Sequence, residues 1–154
     1  MKEIKWGVIF ALALLGWMLL ERATGLHDEN INYHAVVSNF FAVVAVIIYI
    51  LALRDKRAAL PDQKMTWLQG FISGLKIAIV VAILSPLVQL LTHHVISPDF
   101  FQNMREYSVA SDMMSETRAE KYFNLNAYMF QAVAGAIGMG AITSAIVAFF
   151  LRRK

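Results

Sequence analysis

Four apolar stretches, each close to the length that crosses a lipid bilayer, dominate this sequence: Trp6 to Leu20, Ala35 to Leu53, Trp67 to Leu91 and Leu125 to Leu151. At a rise of about 1.5 Å per residue, roughly 20 residues cover a hydrocarbon core of about 30 Å, and each stretch reaches that length with help from its flanks. Lipid offers no partner for backbone N–H and C=O groups, so segments that span it must be helical. The expected fold is all-α: a polytopic membrane protein forming a single transmembrane domain over residues 1–154, with four spans at about 4–24, 34–54, 66–92 and 124–151.

Composition supports that reading. Hydrophobic residues make up 58% of the chain and charged residues 16%, and the apolar residues run together where a soluble helix would stripe them. The absence of cysteine removes disulfides, thiolate catalysis and Cys-ligated metal centres. A net charge of +3 is no sign of nucleic-acid binding, because the basic residues sit beside the apolar runs, where they set membrane topology.

Lys2, Lys5, Arg54, Lys56, Arg57, Lys64, Arg152, Arg153 and Lys154 flank one side of the four spans, nine cations in all. The opposite segments hold Arg22, Arg105, Arg118 and Lys121. The positive-inside rule then places both termini in the cytoplasm. The first run, preceded by Lys2 and Lys5, has the look of a signal peptide, but Glu21 and Arg22 follow Leu20 where a small-residue cleavage site would stand, so it is expected to be a retained helix. Trp6 and Trp67 open their spans at the boundary where amphipathic rings anchor.

Gly70, Gly74, Ala78 and Ala82 recur every fourth position in the third span, and Ala132, Ala136, Gly140, Ser144 and Ala148 do so in the fourth. Helices in lipid associate where small side chains let backbones approach, so these two stripes are expected to meet, unless one of them forms a homodimer contact. Pro86 follows Ser85 late in the third span and favours a kink there.

The residues at about 97–123, between the third and fourth spans, are too polar for lipid. Ser97, Pro98 and Asp99 form a helix-start pattern, after which Phe100, Phe101, Met104 and Tyr107 fall on one side, as in a short amphipathic helix lying on the outer surface. Ser115 before Glu116 reads as a second cap, with a helix continuing through Tyr122 and Phe123 into the fourth span.

All four histidines, His27, His34, His93 and His94, fall at the outer ends of the first three spans, near Glu21, Asp28 and Glu29. Imidazole and carboxylate are the groups that bind zinc-like ions or relay protons. Their spacing matches no metal motif, so a divalent metal would need these residues to converge in three dimensions; histidines merely at home at a wet interface are the alternative. Glu21 and Asn39 lie within or at the edge of apolar helices, where polar groups want partners, and Gln89 and Gln131 are expected to form interhelical hydrogen bonds. Lys76 falls about 14 Å beyond Trp67, near the membrane midplane and opposite the small-residue stripe, facing either the first two helices or lipid. It either snorkels or holds an ion-pair or anion-binding role.

Glu21 with Gly25-Leu26-His27-Asp28, then His34 and Asn39, Met65-Thr66-Trp67 with Gly70-Phe71 and Gly74, and Ser85-Pro86 together resemble an uncharacterised bacterial family of small four-helix membrane proteins, one of the domain-of-unknown-function groups. The resemblance runs from end to end. It implies the same four-span fold and a bacterial cytoplasmic-membrane location, and it brings no activity with it.

The leading expectation for function is a non-enzymatic accessory or partner-binding subunit, held in a larger membrane complex or a homo-oligomer, with the bilayer as its constant partner and no cofactor. A second reading is a transporter or ion-binding protein with an outer site formed by Glu21, His27, Asp28, His34 and His93 near Asn39. A third, a membrane-embedded hydrolase, lacks an identifiable nucleophile.

Overall fold

The computed structural model describes residues 2–153. Lys154, one of the cations in the charge count, lies outside them. Seven helices follow in order: α1 (Lys2–Ala23), α2 (Ile31–Ser38), α3 (Phe41–Ala58), α4 (Trp67–Leu91), α5 (Phe100–Ala110), α6 (Glu116–Tyr122) and α7 (Leu125–Leu151), with a 3-10 turn at Pro61–Gln63 and a π turn at Thr92–Ile96. Four rods are long and apolar enough to cross a membrane: Lys2–Ala23, Ile31–Ala58, Trp67–Ile96 and Leu125–Leu151. By helix length and hydropathy the chain is a multi-pass membrane protein.

Two of these rods differ from the expected spans. The second is longer and is interrupted between α2 and α3, where Asn39 donates its side-chain amide to the Ala35 carbonyl at 2.7 Å. The backbone there tightens into bonds three residues apart, Phe40 to Val37 and Ala42 to Asn39. A short polar side chain competing for its own helix's carbonyls accounts for the break. The third rod extends past Leu91 through the π turn that carries His93 and His94.

The bundle is built on α4 and α7. A Cβ placed on Gly70 would lie 2.9 Å from the Ala148 Cβ, one on Gly74 would lie 2.6 Å from the Ser144 Cβ, and one on Gly140 would lie 2.5 Å from the Ala78 Cβ. Ala82 is buried on the same face of α4, and Ala136 packs partly buried against the core. Gly7 brings α1 against α4 in the same way, with Val80 beneath it. Close backbone approach of this kind gains dispersion contact where lipid supplies no hydrophobic drive. Tyr49, Leu53, Met65, Ile77, Val81 and Val147 fill the space between the helices.

Polar ties close the end of the bundle that carries both termini. Trp6 Nε1 donates to Asp55 at 2.9 Å, Lys56 and Ser73 both reach Glu3, and Arg57 donates to the Leu151 carbonyl at 3.0 Å. Trp67 donates to the Ala145 carbonyl at 3.0 Å and stacks on Phe71. Thr66 and Gln69 form a reciprocal cap at the start of α4.

At the far end, α5 and α6 fold over the helix ends around Phe100, Met104, Ala119 and Phe123. The expected helix starts are modified here. Asp99, and not Ser97, precedes α5, and Ser97 turns its hydroxyl to His27. Helix α6 stops at Tyr122, and α7 begins afresh behind Asn124, whose side chain accepts from the Ala127 N–H at 2.9 Å. An Asn cap starts a helix more strongly than the intervening residues can prolong one.

Candidate functional site

Glu21 closes the far end of α1 and is completely buried. Chain reversal after α1 uses Gly25, whose φ of 75° is open to glycine without penalty. The Asn30 N–H donates to the Gly25 carbonyl at 2.7 Å and the Asn30 amide to the Thr24 carbonyl at 2.9 Å. This tight loop folds His27 back under the chain, where it too is buried. Helix α2 then delivers His34 and, one turn later, Ser38 to the same spot.

These groups converge on the Glu21 carboxylate. Its Oε1 accepts from Trp17 Nε1 at 2.6 Å and from Ser38 Oγ at 2.7 Å. Its Oε2 lies 3.1 Å from His27 Nε2 and 3.6 Å from His34 Nδ1. The other nitrogen of His27, Nδ1, meets Ser97 Oγ at 2.6 Å, and Asn103 of α5 donates to the His27 carbonyl at 2.9 Å. Segments far apart in sequence are therefore tied through one residue, His27.

Phe100 is the apolar wall of this site. Its ring centroid lies 5.0 Å from that of His27, 4.9 Å from that of His34 and 5.2 Å from that of His93. His93 stands behind it, stacked on Phe101 at 4.1 Å, with Nε2 3.0 Å from Gln89 Oε1. The buried His93 Nδ1 has no hydrogen-bond partner among the described residues. Gln89 thus serves its own helix, not a neighbouring one as expected, and Gln131 lies exposed on α7.

Other expected members stand apart. Asp28 pairs with Arg22 at the surface and accepts from the Glu29 N–H at 2.7 Å. That backbone N–H, followed by the Arg22 guanidinium, holds its carboxyl below the usual carboxylate range. Asn39 is exposed and spends its amide on Ala35, and His94 and Glu29 are exposed. Lys76 is exposed in the row formed by Ile72, Ile79, Ile83 and Leu87, so it faces away from the bundle. It lies one helical turn past Ser73, whose hydroxyl meets Glu3 in the polar layer at the termini end.

Trp17, Ser38, Ser97 and Phe100 are site residues that sequence reasoning did not assign there. Trp17 is one turn before Glu21 and Ser38 one turn after His34, so helical spacing alone puts each on the right face. Nothing in the local pattern points Ser97 at His27.

A cavity of about 300 Å³ opens outside this group, between the loop after α1 and the start of α5, with His27, Ser97, Phe100, Arg22, Asp28 and Asp99 among its lining residues. It brings a polar surface up to the buried His27.

A family profile described as "Protein of unknown function (DUF4199)" matches residues 5–153. No curated protein and no solved structure matches the chain.

Proposed function

The chain belongs to this family of unknown function over nearly its whole length, and we propose from its own geometry that it is a cation-binding membrane protein whose site is the buried Glu21 carboxylate with His27 and His34. One observation carries the reading: Glu21 is fully buried, and among the described residues its polar partners are His, Ser and Trp, with no Lys or Arg paired to it. An uncompensated carboxylate in an apolar bundle is strongly unfavourable, so its charge is balanced by a proton or by a bound cation. The arrangement favours this reading over a chemically silent bundle, because four hydrogen-bonding side chains from three segments aim at one carboxylate.

We place the site on the outer face of a bacterial cytoplasmic membrane, with both termini cytoplasmic. The asymmetry of Lys and Arg supports that placement. Thermal unfolding of the purified chain, measured across pH and with Na⁺, K⁺, Mg²⁺, Ca²⁺ and Zn²⁺ in turn, tests the function. At least one of these cations, the proton included, should stabilise the wild type and not Glu21→Gln. Identical responses of the two proteins would overturn it.

A second reading, an accessory subunit or homo-oligomer, is favoured by the open surface at Gly16, Gly135 and Gly138, where an added Cβ would meet no other element within 4 Å among the described residues. Gently solubilised protein should then carry a stoichiometric partner or a second copy. A monodisperse monomer without partners counts against it.

A further inference from the structure

We propose that Glu21, His27 and His34 form a zinc-class transition-metal site, with Glu21 Oε2, His27 Nε2 and His34 Nδ1 as ligands and at least one coordination position open. This rests on the cation-site reading above and narrows it to one chemical class.

Geometry comes first. One ligand atom from each residue can be chosen so that all lie within 4.8 Å of one another. Atoms about 2.0–2.1 Å from a common zinc ion stand roughly 3.3 Å apart in a tetrahedral site. The separations from Glu21 Oε2, 3.1 Å to His27 and 3.6 Å to His34, fall on either side of that value. Both separations are close to the ligand spacing of a tetrahedral site.

Donor chemistry selects the ion. Two imidazole nitrogens and one carboxylate oxygen suit Zn²⁺ and its first-row neighbours, whereas Ca²⁺ and Mg²⁺ take shells of oxygen. A dication supplies the counter-charge missing at Glu21 and leaves one positive charge for an anionic ligand, such as hydroxide, at the open position. Three protein ligands leave a position for water or another small ligand.

The atoms around the ligands are arranged to hold them. With a metal on His27 Nε2, the proton resides on Nδ1, and Nδ1–H donates to Ser97 Oγ, 2.6 Å away. Glu21 Oε1 is occupied by the Trp17 N–H and the Ser38 hydroxyl, which turns Oε2 toward the two imidazoles. Fixing the tautomer of a ligating histidine and the free oxygen of a ligating carboxylate is what outer partners do in metal sites. Phe100 packs its ring against both imidazoles.

The test is titration of the full chain, in detergent and stripped of metal, with Zn²⁺ by calorimetry and with Co²⁺ by visible absorption. One Zn²⁺ per chain, a Co²⁺ spectrum of tetrahedral nitrogen and oxygen ligation, and no competition from Mg²⁺ or Ca²⁺ are expected. His34→Ala should lose affinity at least tenfold, Ser97→Ala should lose about 10- to 100-fold with recovery in Ser97→Thr, and His94→Ala should bind as the wild type does. The Co²⁺ spectrum needs only the wild type, so a variant that fails to fold leaves the test intact. A folded wild type that takes up neither Zn²⁺ nor Co²⁺ but is stabilised by another cation or a proton overturns the metal class and spares the broader reading. A chain indifferent to every cation overturns both. Equal Zn²⁺ affinity in wild type and a folded His34→Ala overturns the ligand assignment.

Discussion

Gly74 of α4 faces Ser144 of α7 across a gap with no room for a side chain: a Cβ at Gly74 would lie 2.3 Å from the Ser144 hydroxyl and 3.3 Å from the Ser144 Cα. Since Cα atoms cannot be moved by a rotamer change, any larger residue at Gly74 must push the two helices apart. Gly74→Leu is expected to destabilise the fold by at least about 1–3 kcal/mol, the usual range for overpacking. Gly138→Leu, at a position with nothing within 4 Å, should be close to neutral. Thermal unfolding of both variants in the same detergent checks the contrast, and equal losses would contradict the packing described here.

The proposed orientation predicts a labelling pattern. Since the chain contains no cysteine, single cysteines can be introduced without background. Ser111→Cys, exposed beyond α5, should react with a membrane-impermeant maleimide on intact cells, and Gln63→Cys, exposed between α3 and α4, should react only after the membrane is opened. The reverse pattern would invert the topology and put the cation site inside.

Lys76 provides a third prediction. Its ammonium stands on an apolar row that faces away from the bundle, one turn past the polar layer at Ser73 and Glu3. A side chain of this length can reach back to that layer, which lets an ammonium stand on an apolar face. Lys76→Leu should therefore raise stability in lipid, by up to about 2–3 kcal/mol if the charge sits deep and by less if it reaches the interface. Loss of an oligomer or of a co-purifying protein in that variant would instead show that Lys76 meets a partner.

Asp28 sets an acid limb. Its folded-state carboxyl is held below the ordinary value by the Glu29 N–H and by Arg22. A depressed acid stabilises the fold above the unfolded-state value, near 3.9, and that stability is lost as pH falls through the lower folded value. The pair is partly exposed, so the effect is small and salt-sensitive. Unfolding temperatures between pH 6 and pH 2 should fall less in Asp28→Asn than in the wild type, and high salt should shrink the difference.

The four spans were legible because lipid imposes a length and a composition that no local detail can hide. The α4–α7 register was legible at Gly70, Gly74 and Gly140 for a related reason, since a four-residue repeat of small side chains is itself a statement about a helix face. The site was legible only in its ingredients. Glu21, His27 and His34 announced themselves as polar groups at helix ends, but Asp28 and Asn39 carried the same signal and satisfy themselves locally, with Arg22 and Ala35. Separating the two sets depends on a glycine-centred loop and on Ser97, seventy residues from His27, and such long-range pairing leaves no periodic trace in a single sequence.

The bond between His27 and Ser97 also bears on biogenesis. Glu21 and His27 leave the ribosome early, whereas Ser97 and Asn103, separated from His27 by 70 and 76 residues, follow only after the third span. Glu21 finds Trp17, His27, His34 and Ser38 within the first two helices and the loop between them, whereas His27 Nδ1 must wait for Ser97. The far-end cluster is accordingly a clasp that closes in two stages, its carboxylate side with the first two helices and its Ser97 side only after the third span.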